Sequence, residues 1–397
     1  MGIIADQIDK HWQERQSRNK GHRLHLGASK LGHSCKRKLW YDFRWCSDEI
    51  LEGRKYRLFQ RGHNEEAYFV KQLLWLGAEI ITVNQRTHTQ YTYSHFGGHV
   101  GGSLDGVARG LPVKPMLWTL LEFKTHDKAS FNQLVKHGVK KSKPEHFSQV
   151  QMYMGWAGLE RALYLAVNKN DDTIYDEFIE FDKLEYGRLM ERAEDIVFAP
   201  TPIERVSDSP KYYECLYCDH RFICHESIID PTTNAQVKTA AINCRTCLHS
   251  TPLKEGGWNC EHNNRNVKLD EQRQRRGCRH HRFIPELVPF ATVVDANAVL
   301  NEVTYQIKPS MQSCPPKSSV LPEAVFFRNG EKGKNSYESR ELQYVTINQI
   351  GDAFIEDVRA KLGGYFFKDD AIEPLMELDN ELDDSKLSVK GEYSHGR

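Results

Sequence analysis

The chain has 397 residues, 39% hydrophobic and 27% charged, with 27 glycines and a formal net charge of zero. That balance lies within the globular range and excludes a wholly disordered, collagen-like or coiled-coil chain. No apolar run approaches the roughly 20 residues of a spanning helix, and the opening MGIIADQIDK lacks a basic region before an apolar stretch, so a soluble intracellular protein of two or three compact units is expected.

Neutrality conceals an uneven distribution. Residues 1–61 carry 14 Lys and Arg against 7 Asp and Glu, while residues 369–397 carry 3 against 9. A basic head and an acidic tail permit a polyanionic partner without requiring one.

In chain order, residues 1–20 have the composition of a surface helix. Ser29 is placed to cap a helix in which Leu31, Cys35, Leu39 and Phe43 recur on one face. A second helix is expected over 56–76. Strand character runs from about Ile80 to Lys124, punctuated by Gly97, Gly98, Gly101 and Gly102. A helix over 148–159 follows Pro144, then strands at ALYLAVN (162–168) and TIYDEFIEF (173–181), and a long helix from Lys183 to Phe198. This order fits an α/β core of roughly 200 residues. The stretch from Tyr212 to Phe283 is too poor in apolar residues for a conventional core, so bound metal is expected to supply its stability. Beyond Pro285, strands are expected at AVFFRN (324–329) and LQYVTI (342–347) and a helix over 347–361, before a flexible acidic tail.

Asp105 lies in the Gly-rich turn GGSLDG, and Glu122 and Lys124 stand one residue apart in LLEFKT. On a strand, residues i and i+2 share a face, so Glu122 and Lys124 project together while Phe123 enters the core. If the two strands pair as a hairpin, Asp105 comes alongside. Two carboxylates suit Mg²⁺, a hard cation that takes oxygen ligands, activates water and polarises a phosphoryl oxygen. A lysine beside them can position or deprotonate that water, or stabilise charge on phosphorus. The bland reading of the same string is a surface charge pair. Glu66, four residues after Gly62 on an expected helix, offers a third acidic ligand. Gln149 and Tyr153, at i and i+4, share a helical face that is expected to be exposed, where it would hold a phosphodiester backbone or steer the lysine.

The strings GxxxE (Gly62–Glu66), GxxD (Gly102–Asp105), ExK (Glu122–Lys124) and QxxxY (Gln149–Tyr153) stand in the order of the RecB-like branch of the PD-(D/E)xK nuclease superfamily, which residues 25 to about 170 resemble. The resemblance implies an α/β, restriction-endonuclease-like core: a central mixed sheet flanked by helices. It implies a metal-dependent DNA exonuclease acting from ends in recombination, repair or phage DNA metabolism, in the cytoplasm of a bacterial or phage-infected cell. An endonuclease of the same fold and a non-catalytic zinc-containing DNA-binding protein are the alternatives. Glu66, Asp105 and Glu122 would hold Mg²⁺ or Mn²⁺, Lys124 would orient the attacking water, and Gln149 and Tyr153 would contact the DNA backbone or Lys124. Many RecB-like members have His where this chain has Glu66; glutamate there is similar to the phage recombination exonucleases, and His63 is a lesser candidate ligand. No GxxxxGK[ST] string is present, so strand separation would come from a partner such as a helicase, with single-strand-binding or annealing proteins as further candidates.

Ten cysteines stand at 35, 46, 215, 218, 224, 244, 247, 260, 278 and 314. In a chain with no export signal their clustering favours metal ligation over disulfides. Iron–sulfur RecB-like nucleases, the AddB subunit and the CRISPR-associated adaptation nuclease among them, have one early cysteine and then three spaced C-x2-C-x5-C. That resemblance implies a structural 4Fe–4S cluster on Cys35, Cys215, Cys218 and Cys224. From spacing alone, zinc completed by His220 or His225 is the alternative, and Cys46 is a buried or incidental thiol. Cys244, Cys247, Cys260 and Cys278 read as a closed structural zinc site, in which His249, His262 and His280 could each replace one cysteine. Residues 261–282 hold seven Lys and Arg against three acids, enough for such a module to grip a DNA backbone. The expected organisation is a nuclease core over 1–230, a four-cysteine zinc module over 231–285, a small α+β region over 286–368 and the tail from 369 to 397.

Overall fold

The computed structural model describes residues 2–17, 22–47, 51–225, 239–262, 266–308, 326–331 and 336–342. Cys314, the helix expected over 347–361, the acidic tail and most of the strand expected at 342–347 lie outside them.

Helix α1 (Ile3–Ser17) packs on α3 (Gly53–Trp75). Gly53 allows the approach, because a Cβ there would lie 2.0 Å from the carbonyl oxygen of Asp9. Between them the single helix expected from Ser29 is broken. A two-residue strand, β1 (Leu26–Gly27), leads into a 3-10 turn at Ala28–Lys30, and α2 (Lys36–Phe43) begins only after Cys35. At Gly32 the chain runs close against the segment that follows Pro144: a Cβ there would stand 2.6 Å from the Cα of Glu145.

The strands β2 (Glu79–Ile81), β3 (Thr92–His95), β4 (Val100–Ser103), β5 (Gly106–Arg109) and β6 (Thr119–His126) precede two helices, α4 (Lys128–Ser142) and α5 (Pro144–Ala157). Then come β7 (Arg161–Asn168), β8 (Ile174–Glu180) and α6 (Lys183–Phe198). Sequence patterning gives no expectation of α4. Its apolar positions are few, and Gly138 inside it takes φ 70 and ψ 173. The signal it does carry is Asp127, whose side chain accepts from the Ser130 amide as an N-cap.

The central sheet has the order β2-β5-β6-β7-β8, with β6 and β7 parallel and the other neighbours antiparallel. A parallel pair needs a crossover, which α4 and α5 supply. β7 is buried along its whole length, as expected of a strand covered on both faces. One face packs on α3, where Phe69 stacks on Phe123 at 5.4 Å between ring centres. The opposite face, carrying Leu120, Ala162 and Ala166, packs on Val150, Met154 and Leu189 of α5 and α6 and on Leu39 of α2. A smaller sheet, β1-β4-β3, lies alongside.

Beyond α7 (Tyr213–Leu216) and α8 (Arg221–Cys224), the cysteine-rich stretch forms β9 (Ser250–Pro252), β10 (Trp258–Cys260) and β11 (Val267–Leu269), a three-stranded antiparallel sheet followed by α9 (Glu271–Arg276). A four-stranded sheet follows: β12 (Ala291–Asn297), β13 (Glu302–Ile307), β14 (Phe326–Asn329) and β15 (Ser336–Tyr337), with α10 (Ser339–Leu342) after it. The expectation that residues 212–283 lack a conventional core is not met. Trp258, Leu269 and Phe283 are buried in the same apolar cluster as Leu39, Val150 and Leu189. Few apolar residues suffice because they share a core already built by the preceding elements.

Two joints fix this attachment. Arg245, inside the Cys244–Cys247 loop, donates to the carbonyl oxygens of Phe43 and Leu24 and to Oε1 of Gln274 at 2.9–3.0 Å. Its guanidinium lies 3.7 Å from the ring centre of Trp45 and 4.8 Å from that of Trp258, so a buried cation is held by π faces and oxygens. At the second joint two glycine turns touch backbone to backbone. A Cβ on Gly97 would stand 2.2 Å from the Gly256 nitrogen, and one on Gly256 2.3 Å from the Gly97 oxygen. Among the described residues no helix is long and apolar enough to cross a membrane.

Candidate active site and thiol clusters

β5 pairs with β6 in the register Gly106↔Leu121, which places Asp105 beside Glu122 and Phe123, the hairpin arrangement that the sequence predicts. Oδ2 of Asp105 accepts from the Phe123 amide at 3.1 Å. Glu122 is fully buried and its Oε1 accepts from Nζ of Lys124, while Oε2 is buried with no hydrogen-bond partner. Glu66, on α3, pairs with His63 at 3.4 Å and lies within electrostatic reach of Asp105 and Lys124.

The four side chains perturb one another. Burial pushes the Glu122 carboxyl up to about 7; Lys124 opposes this and the nearby Asp105 adds to it. Asp105 is raised by burial, against the pull of Lys124 and the Phe123 amide. Glu66 is raised by burial and then by the charge of Asp105. Burial alone would lower Lys124, but the carboxylates of Glu122 and Asp105 raise it, so the ammonium is kept. Three crowded carboxyls stand around one lysine, one of them with an orphaned buried oxygen, so the group holds more negative charge than Lys124 offsets.

Gln149 and Tyr153 join this group, but they are buried rather than exposed. The Gln149 side chain hydrogen-bonds Tyr153, whose hydroxyl lies in the field of Glu122 and Asp105; burial and those charges together raise its pKa. The cause is Gly102: a Cβ there would stand 2.6 Å from the Tyr153 hydroxyl. The glycine of GxxD therefore admits the tyrosine of QxxxY. Sequence reasoning missed Arg23, an exposed guanidinium whose charge also reaches Tyr153. It missed the network beyond Lys124 as well, where the Tyr164 hydroxyl is shared by Nε2 of His126 at 2.9 Å and Nδ1 of His146 at 2.7 Å. Burial and the Lys143 and Lys124 charges push His126 down to about 4; burial and the Lys124 charge bring His146 to about 3. Both rings are thus neutral beside the lysine.

The thiols gather in two places. Cys35, Cys215, Cys218 and Cys224 line one cavity, with Cys35 at the start of α2 and the others in and between α7 and α8. His220 is turned away from a ligand role, because its ring nitrogens are held by Oδ1 of Asp42 at 2.8 Å and Oγ of Ser47 at 3.0 Å. His225 lines the same cavity. Cys46 is buried away from it. Cys244, Cys247, Cys260 and Cys278 lie within electrostatic reach of one another. Their sulfurs also meet backbone N–H groups: Gly277 at Cys244, His249 and Arg282 at Cys247, His280 and His281 at Cys278. Burial outweighs these donors and pushes the Cys244 and Cys247 thiols up to about 12; once deprotonated, four such sulfurs are the donor set of a metal that takes thiolates. Among the described residues no group of three or more His, Cys, Asp or Glu, whether the carboxylates around Lys124 or the thiols, is arranged so that it could hold a metal ion as it stands.

No family model matches the chain, and no curated protein matches it. Among solved structures, SSO0001 is similar over 57% of this chain and 99% of its own, at 17% identity and a TM-score of 0.34. An alkaline exonuclease, LHK-Exo from Laribacter hongkongensis, is similar over 47% of this chain and 90% of its own, at 16% identity and a TM-score of 0.32. The same enzyme in complex with dAMP gives 15% identity and 0.32. Likeness at this level says nothing of activity, which rests on the residues themselves.

Proposed function

We propose that this chain is a divalent-metal-dependent deoxyribonuclease acting from DNA ends. The observation that carries the reading is the convergence of Glu66, Asp105 and Glu122 on Lys124, with one Glu122 oxygen buried and unpaired. Glu66, Asp105 and Glu122 would hold Mg²⁺ or Mn²⁺, and a cation there supplies Lewis-acid polarisation of the phosphodiester. Lys124, kept charged by Glu122 and Asp105, orients the attacking water and neutralises charge building on the phosphoryl oxygens. Tyr153 and Gln149 fix the wall behind Glu122, and exposed Arg23 contacts the DNA backbone.

The thiol clusters belong to the scaffold in this reading. Cys35, Cys215, Cys218 and Cys224 would hold a 4Fe–4S cluster that ties α2 to the segment after α6. Cys244, Cys247, Cys260 and Cys278 would hold zinc, with the exposed Arg273 and Arg276 of α9 facing DNA. A helicase, or a single-strand-binding or annealing protein, would present the ends.

The test is degradation of an end-labelled linear duplex with Mg²⁺ or Mn²⁺, abolished by chelation and by Lys124→Ala in folded protein. A covalently closed circle should survive; its cleavage would replace the exonuclease by an endonuclease on the same residues. DNA binding without metal-dependent cleavage would leave only a binding module.

A further inference from the structure

The second thiol cluster carries a pattern that the four cysteines do not use. Three of them are followed two residues later by histidine: Cys247 and His249, Cys260 and His262, Cys278 and His280. The three segments come together, and so do the three rings. His262 lies 5.0 Å from His249 and 4.6 Å from His280 between ring centres.

Two of the rings have a fixed tautomer. The Asn301 amide nitrogen donates to the His280 carbonyl oxygen at 3.1 Å, which turns Oδ1 toward Nε2 of His249 at 2.7 Å. That oxygen can only accept, so Nε2 of His249 carries the hydrogen and Nδ1 keeps its lone pair. Oε1 of Glu331 lies 2.6 Å from Nδ1 of His280. A carboxylate likewise accepts, leaving the lone pair of His280 on Nε2, where the exposed Arg279 donates at 3.2 Å. An imidazole whose one N–H is held by an amide or carboxylate oxygen, with the other nitrogen free to coordinate, is the arrangement that surrounds histidine ligands of metals. These oxygens come from the residue before β13 and from just after β14, outside the cysteine loops.

We propose that His249, His262 and His280 form a second metal site, taking one divalent transition-metal ion of the Zn²⁺ class and separate from the four cysteines. Imidazole nitrogens suit such ions, and four thiolates already complete a tetrahedral set without them. His262 stacks on His280 and meets His249 edge-on, and the three do not hold a metal position as they stand, so loading requires His262 to rotate and Arg279 to leave His280. The inference does not depend on nuclease activity.

The experiment counts zinc and iron per chain in full-length protein, purified anaerobically without a polyhistidine tag and dialysed against a weak chelator. The wild type should hold two zinc ions. His249→Ala/His262→Ala/His280→Ala should hold one with iron unchanged, and Cys247→Ser should lose the other. Equal zinc in wild type and the triple variant, or a single zinc in the wild type, overturns the site. If the triple variant loses its iron or its cooperative melt, His262→Ala decides: loss of one zinc supports the site and an unchanged count overturns it.

Discussion

Replacing Gly102 by alanine is the sharpest probe of how the site is assembled. The new Cβ would stand 2.6 Å from the Tyr153 hydroxyl and 2.7 Å from Cε1, roughly 0.8 Å inside the 3.4 Å at which contact becomes ordinary. Tyr153 cannot simply swing aside: it is buried, bonded to Gln149 and packed 5.8 Å from the Trp156 ring. Overpacking of this kind costs about 1–3 kcal/mol, and Gly102 lies outside the left-handed region, so backbone strain adds nothing. Urea unfolding of Gly102→Ala, Tyr153→Ala and the double variant measures the coupling. The cost of Gly102→Ala should nearly vanish once Tyr153 is truncated, a non-additivity of about 1–3 kcal/mol. Simple additivity, or a neutral Gly102→Ala, would refute the argument that this glycine exists to admit that tyrosine.

Glu122→Gln and Lys124→Ala should each lower metal-dependent cleavage by about 10²-fold or more, while circular dichroism reports an intact fold. Because burial holds the Glu122 carboxyl up to about 7, a proton competes with the cation below that pH. Apparent Mg²⁺ affinity should therefore rise about tenfold per unit up to pH 7 and level off above it, as read from metal titrations between pH 5.5 and 8.5. Arg245→Met keeps the apolar stem against Trp45 and Trp258 but strips donors from two buried oxygens and from the part-buried Leu24 carbonyl. A loss of about 3 kcal/mol is expected in chemical denaturation. Cys35→Ser should lose iron while Cys46→Ser keeps it, as iron analysis after anaerobic purification will show.

The carboxylates and the lysine were legible because strand alternation forces Glu122 and Lys124 to one face and a hairpin brings Asp105 to them. Both are local rules that sequence spacing encodes. The burial of Gln149 and Tyr153 was not legible, since it depends on the missing side chain of Gly102, a contact between β4 and α5. The close approach of Gly32 to Glu145 was hidden for the same reason, since the two lie more than a hundred residues apart. Helix α4 was hidden by its weak apolar stripe and its internal glycine. That residues 212–283 join the main core is not readable from their own few apolar residues, because the rest of that core comes from other elements. Arg245 is a buried pin whose role rests on Phe43, Trp45 and Leu24, about two hundred residues away in sequence.

The paired turns at Gly97 and Gly256 carry a further consequence for inheritance. Neither residue is a ligand, an acid or a base, yet any side chain at Gly256 must push on the turn that leads directly into β4 and Gly102. In a genetic screen, substitutions at Gly256 would be scored with losses of the carboxylates, about 150 residues away in sequence. Second-site revertants should arise on the 96–98 turn, marking as one functional unit two segments that no linear map would group.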